Sequence, residues 1–266
     1  AGVIEAAGDK VSPFQVGDEV YFCNSGIGGS PGNYAEYAVV DHRFVAKKPE
    51  ELDFAHAAAA PLVCITAWEA LNDRAHIRHE NRVLIHAGAG GVGHVAVQLA
   101  RAARCDVIAT VASDEQARFV RNLGAHVAVN HKEQDFVEAI MDWSDREGGD
   151  MALDTVGGET FQRTFEAVRP YGDLVTLLQP GKEVDWKTAR LRNLRISQEL
   201  MLSPMFFGWR KAQEHQAHIL EQCAALIGMG KLKIHLARTL PLEQAAEAHR
   251  ILEQGGMEGK IALAID

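Results

Sequence analysis

One hexapeptide limits this chain more than anything else in it: Gly88-Ala89-Gly90-Gly91-Val92-Gly93, a G-x-G-x-x-G pattern. The pattern alone is weak. Here it follows the apolar run Arg82–Ala87 at once. It also opens an amphipathic segment, Gly91–Arg104, in which Val92, Val95, Ala96, Leu99 and Ala103 recur at helical spacing. A strand that turns straight into a helix needs Gly88 for the tight turn. It needs Gly90 where a diphosphate must approach bare backbone, and Gly93 where helix packs on strand. The free amides and positive dipole of the helix start then favour an anion. Gly88, Gly90, Gly91, Val92 and Gly93 are therefore expected to hold the diphosphate of a dinucleotide.

From Arg82 onward, short apolar strands alternate with amphipathic helices. Further strands are predicted over Asp106–Val111, Val127–Val129, Met151–Thr155, Leu174–Leu178 and Leu194–Leu202. Helices are predicted over Ser113–Leu123, Asp135–Trp143 and Thr160–Val168. Ser113 with Gln116 makes a capping box, and Gly124 sits just past the helix end. Six strands with helical connections predict an α/β fold, a doubly wound parallel sheet. Residues 1–48 read differently. The β-rich runs Gly2–Ala7, Glu19–Phe22, Tyr34–Val40 and Phe44-Val45 are separated by turn clusters, including the glycine-rich loop Asn24–Asn33. These suggest part of a barrel or sandwich. Asp53 is placed to cap a helix that Pro61 ends or kinks, with a second helix over Leu62–Arg74. The tail reads as helices over Lys211–Met229 and Leu242–Gln254, with strands near Ile234 and over Lys260–Ile265. The chain opens at Ala1 within an apparent strand, as a fragment or a processed protein would.

Composition excludes several classes. With 27 basic and 36 acidic side chains the net charge is −9, unsuited to general nucleic-acid binding. The longest apolar stretch, Ala57–Trp68, is shorter than a membrane span and is interrupted by Pro61 and Thr66. The four cysteines lie far apart with no C-x-x-C pair, which suits neither a disulfide framework nor a four-cysteine zinc site and points to a cytoplasmic protein. His76 with His79, and His215 with His218, stand three apart, but neither pair has a third ligand of equal quality nearby. They read as solvated surface, and no metal is expected.

The second strand of the sheet decides the dinucleotide. It ends Thr110-Val111-Ala112-Ser113, without the acid that accepts hydrogen bonds from an NAD ribose. A neutral tip favours a 2′-phosphate, hence NADPH. Asp114 and Glu115 follow at once and leave NADH possible, while Arg118 and Arg121 stand one and two turns further on.

Several blocks occur in a telling order: Val16-Gly17-Asp18-Glu19-Val20, Tyr34-Ala35-Glu36-Tyr37, Pro61–Leu71, His86–Gly93, Asp154-Thr155-Val156-Gly157-Gly158 and Gly259-Lys260-Ile261. Over essentially its whole length the chain resembles the medium-chain dehydrogenase/reductase superfamily, in its zinc-independent quinone oxidoreductase branch. The resemblance implies a GroES-like β domain followed by a Rossmann domain, with the C-terminal segment returning to the first. Here these would be residues 1–52, 53–205 and 206–266. It implies NADPH-dependent hydride transfer to quinones or other activated double bonds, in dimers. Its cofactor positions fall on Thr66, the glycine motif, Ser113, Val156, Leu178 and Gln179. The family often has a lysine and a tyrosine near the 2′-phosphate, where this chain has Gln116 and His131. Chains of the family begin several strands earlier than Ala1, with polar residues that line the substrate cleft, and the Gly-His-Glu motif of zinc-dependent relatives does not occur.

No acid–base pair compels assignment, so the catalytic residues are left open. Cys64 reads as a buried apolar cysteine, and His86 as a packed or hydrogen-bonded residue. Leu202–Trp209 is apolar and aromatic, fit for a substrate cleft, a dimer interface or core. The expected partner is a small electrophile. The alternatives are alcohol dehydrogenase-like or enoyl reductase activity on the same fold, or dinucleotide binding without turnover.

Overall fold

The computed structural model describes residues 1–24 and 31–265. Gly26, Gly28 and Gly29 of the glycine-rich loop lie outside the described residues. The chain divides into two compact units, residues 66–200 and a discontinuous one of residues 1–65 with 201–266.

The discontinuous unit opens with three short strands, β1 (Gly2–Val3), β2 (Glu19–Tyr21) and β3 (Ala46–Lys47), paired antiparallel in that order. Tyr21 is fully buried and donates its hydroxyl proton to the Leu220 carbonyl at 2.6 Å. Helix α1 (Phe54–Trp68) follows, its start held by the Asp53 carboxylate, which accepts from the His56 amide at 2.8 Å.

Two expectations fail in this region. Pro61 does not divide the helix: α1 runs through it and continues as a π-helical turn over Glu69–Arg74. Proline forfeits one hydrogen bond, but Pro61, Val63, Cys64 and Ile65 are all buried, so packing holds the helix together. The continuous stretch Phe54–Arg74, 21 residues holding an 18-residue window of mean hydropathy 1.4, is thus long and apolar enough to cross a membrane by length and composition. That window is 67% buried within the fold, as a core helix is. Tyr34–Val40 has strand alternation but forms no strand, because no neighbouring strand pairs with it among the described residues. Tyr34, Tyr37 and Val39 stay exposed.

The second unit carries β4 (Arg82–Ile85), α2 (Gly93–Ala102), β5 (Asp106–Val111), α3 (Asp114–Asn122), β6 (Val127–Asn130), α4 (Phe136–Trp143), β7 (Gly149–Asp154), α5 (Gly158–Ala167), β8 (Val168–Thr176), α6 (Lys187–Leu191) and β9 (Arg195–Gln198). Its six strands are all parallel, in the order β6-β5-β4-β7-β8-β9. That is the doubly wound order whose direction reverses between β4 and β7, where the fold opens a crevice at the strands' carboxyl ends. Leu84, Ile108, Ala152 and Leu174 of the central strands pack with Ile140 of α4 and with Phe161 and Phe165 of α5, all at most 1% exposed. Each such large side chain contributes roughly 1.5–3 kcal/mol.

The chain then completes the discontinuous unit with α7 (Ser203–Phe207), α8 (Arg210–Gly228), β10 (Leu236–Pro241), α9 (Ala245–Gln254) and β11 (Lys260–Ala264). β10 and β11 pair in parallel.

Candidate dinucleotide site

The sequence-predicted positions lie on five consecutive strand ends of the parallel sheet, with one exception. The glycine loop follows β4. Ser113 and Gln116 follow β5, His131 follows β6, Val156 follows β7, and Leu178 and Gln179 follow β8. Thr66 is instead buried in the last turn of α1.

The glycine loop is built so that side chains do not fit. A Cβ on Gly93 would stand 2.2 Å from the Ala87 carbonyl oxygen and 2.8 Å from Gly88 Cα; one on Gly88 would stand 2.7 Å from Ala109 Cβ. Ala87 holds a left-handed φ of 47°, and the turn closes with the Gly90 amide donating to the Ala87 carbonyl at 2.9 Å. The Gly88 amide donates to the Thr110 carbonyl at 2.9 Å, pinning the loop to β5. Among the described residues, the amides of Gly91, Val92 and Gly93 donate to no protein acceptor. A bare cradle with free amides at a helix start is what a diphosphate requires, so these residues fit that group.

Beneath the loop, His86 is buried and hydrogen-bonded on both sides, Nδ1 to Thr110 Oγ1 at 3.3 Å and Nε2 to Thr164 Oγ1 at 2.9 Å, with Phe136 edge-on. Burial lowers its pKa to about 4, against the attraction of the Asp154 charge. It stays neutral at physiological pH and acts as a structural residue.

Asp154 holds two of the edge loops. It is fully buried; Oδ1 accepts from the amides of Val156 (3.0 Å) and Gly157 (2.9 Å), and Oδ2 accepts from the Thr176 hydroxyl at 2.7 Å. Thr176 Oγ1 in turn accepts from the Leu178 amide at 3.2 Å. One carboxylate thus fixes both segments carrying Val156 and Leu178, which approach so closely that a Cβ on Gly157 would stand 2.8 Å from Leu178 Cδ1. Sequence reading missed Asp154 and Thr176 as organisers of the site. The available signal was an acid closing an apolar strand just before Val-Gly-Gly.

At the end of β5, Ser113 caps α3 by accepting from the Gln116 amide at 3.2 Å, and Gln116 Oε1 accepts from the Ala112 amide at 2.9 Å. The reciprocal bond of the expected capping box therefore lands one residue earlier than the cap itself. His131 is exposed, its amide donating to the Val111 carbonyl at 3.0 Å. Among the described residues, no group of three or more His, Cys, Asp or Glu is arranged to hold a metal ion. Cys64 and Cys223 are buried, and hydrogen bonding between them together with burial raises the Cys64 thiol well above its usual value. Cys64 is no nucleophile.

Residues 123–263 match the family model described as zinc-binding dehydrogenase, and residues 1–50 match the alcohol dehydrogenase GroES-like domain. The chain belongs to the medium-chain dehydrogenase/reductase superfamily. It is an oxidoreductase of that superfamily. It is 31% identical over 267 residues to a quinone oxidoreductase of Pongo abelii, covering 100% of this chain and 78% of the relative. It is 30% identical to a 2-haloacrylate reductase of a Burkholderia species, covering 99% and 78%. The structure of Escherichia coli quinone oxidoreductase complexed with NADPH superposes with a TM-score of 0.86 at 25% identity, over 98% of this chain and 79% of that one. The zinc in the family model's description finds no ligand set among the described residues.

Proposed function

We propose that this chain transfers hydride from NADPH to a quinone or a similarly activated carbonyl or alkene, without a metal. The carrying observation is the glycine cradle of residues 88–93 at the reversal of a parallel sheet, where Gly93 leaves no room for a Cβ. When bound, NADPH supplies the hydride, and a proton from solvent completes the reduction. The protein's own part is to hold and orient. The amides of Gly91, Val92 and Gly93 take the diphosphate, and Asp154 keeps the Val156 and Leu178–Gln179 segments in place beside it. Ser113, Gln116 and His131 meet the adenosine ribose, and Thr66 lies toward the diphosphate or nicotinamide. The neutral end of β5 supports NADPH over NADH, as does the NADPH complex of the E. coli relative. The names of the relatives support an electron-poor acceptor. In this reading residues 53–205 form the dinucleotide-binding domain, 1–52 and 206–266 the catalytic one, and the protein works as a cytoplasmic homodimer.

Titration with NADPH and NADH, following nicotinamide fluorescence, tests the cofactor; failure of both to bind removes the proposal. A panel of quinones, enals, 2-haloacrylates and alcohols then tests the acceptor. Consumption of NADPH with alcohol-derived ketones alone would replace the quinone assignment.

A further inference from the structure

Two carboxylates are buried at the carboxyl edge of the parallel sheet, and their surroundings differ. Asp154, closing β7, accepts hydrogen bonds from Val156, Gly157 and Thr176, so its burial is compensated. Glu199 follows β9 with a side chain only 1% exposed, yet neither Oε1 nor Oε2 accepts a hydrogen bond. Its ionic partner is Arg74, whose Nε stands 2.9 Å from Oε2 and whose side chain is 45% exposed. A carboxylate buried without hydrogen bonds is costly, and an ion pair of this kind is a poor source of stability. It is better suited to fixing the place of what it ties.

What it ties is a row of strand ends. Arg74 closes the π-helical turn that follows α1. The Glu199 amide donates to the Thr176 carbonyl at 2.9 Å, which carries the β8–β9 ladder one residue past Gln198. Thr176 is also the residue that bonds Asp154 and the Leu178 amide. Contacts therefore run from Arg74 through Glu199 and Thr176 to Asp154, all within residues 66–200. Each strand end of this row leaves an apolar side chain in water: Val156 after β7 is 47% exposed, Leu178 after β8 45% and Leu200 after β9 53%. Large apolar side chains exposed at three successive strand ends suit the face of a planar ring.

On the reductase reading, the ends of β6 and β5 take the adenosine and that of β4 the diphosphate, so the nicotinamide falls toward β7, β8 and β9. We propose that Glu199, paired with Arg74, is a positioning residue for the nicotinamide end of the site: it fixes the end of β9 so that Leu200 keeps its place in the row with Val156 and Leu178. The proposal rests on that reading.

Calorimetric titration of NADPH and of adenosine 2′,5′-bisphosphate, which lacks the nicotinamide half, into wild type and Glu199→Gln tests it without requiring turnover. Glu199→Gln is expected to weaken NADPH by about fivefold or more and to leave the bisphosphate within about twofold of wild type. Equal weakening of both ligands would make Glu199 a structural residue only and overturns the proposal. So does NADPH bound by Glu199→Gln as tightly as by wild type. Urea midpoints test the pair itself. Arg74→Gln strands a buried carboxylate, whereas Glu199→Gln leaves only a half-exposed guanidinium. Arg74→Gln should therefore unfold at lower urea than Glu199→Gln, and the double variant should return toward Glu199→Gln. Additive losses in the double variant overturn the pairing. If wild-type protein binds neither ligand, the reductase reading falls and this proposal with it; if wild type binds both and only the Glu199→Gln pattern fails, the reading stands and the proposal alone falls.

Discussion

At Gly93 the backbone itself excludes a side chain, because the contacting atoms are the Ala87 carbonyl and Gly88 Cα, neither of which can swing aside. Gly93→Ala must therefore push α2 away from β4. We expect a loss of about 1–3 kcal/mol in stability by urea denaturation. NADPH affinity should fall by more than about tenfold in a fluorescence titration, since the amides at the helix start no longer share one centre. An unchanged affinity would remove the loop from the site. His86 allows a second test at the same scale. Its folded pKa of about 4 lies below the ordinary value of 6.5, so between these the unfolded chain binds a proton that the folded chain refuses. Stability from this residue is complete above pH 6.5 and is lost as pH falls toward 4. The stake is on the order of a few kcal/mol. Urea midpoints measured across that range should fall more steeply for wild type than for His86→Gln, which lacks the proton-accepting ring; parallel curves would contradict it.

Among elements, the loops after β7 and β8 depend on one carboxylate. Asp154→Asn keeps an oxygen for the amides of Val156 and Gly157 but turns an NH2 toward Thr176. It should cost about 1–3 kcal/mol, with Asp154→Ala costing more. Far-UV circular dichroism should stay as in the wild type while NADPH affinity drops several-fold. Unchanged affinity would show that these segments do not touch the cofactor. The same loops mark how far local sequence carries. The strands of the parallel sheet were legible because each is a short apolar run closed by turn chemistry, and α3 was legible from Ser113 and Gln116 alone. Asp154 was visible as a residue but not as an organiser, since its third partner lies 22 residues away across a sheet that has to form first. Pro61 and the segment Tyr34–Val40 were misread for the same underlying reason. Local rules end a helix at proline and grant a strand to alternation, but buried packing overrides the first and the lack of a pairing neighbour defeats the second.

For the molecule as a whole, the candidate site draws on residues 66–200, one of the two compact units of the chain. This division makes the effect of a dinucleotide spatially testable. A ligand that binds only the folded state stabilises it by roughly 2.7 kcal/mol at a hundredfold excess over Kd. Hydrogen exchange shows where that stabilisation is distributed. With NADPH, amide protection should rise first at residues 88–94, then at 155–158 and 177–179, which Asp154 couples. The difference between NADPH and NADH should be confined to Ser113, Gln116 and His131, because the two molecules differ only at the ribose 2′ position. Protection absent from the glycine loop itself would contradict the diphosphate assignment, since the amides there are the groups assigned to the phosphate oxygens.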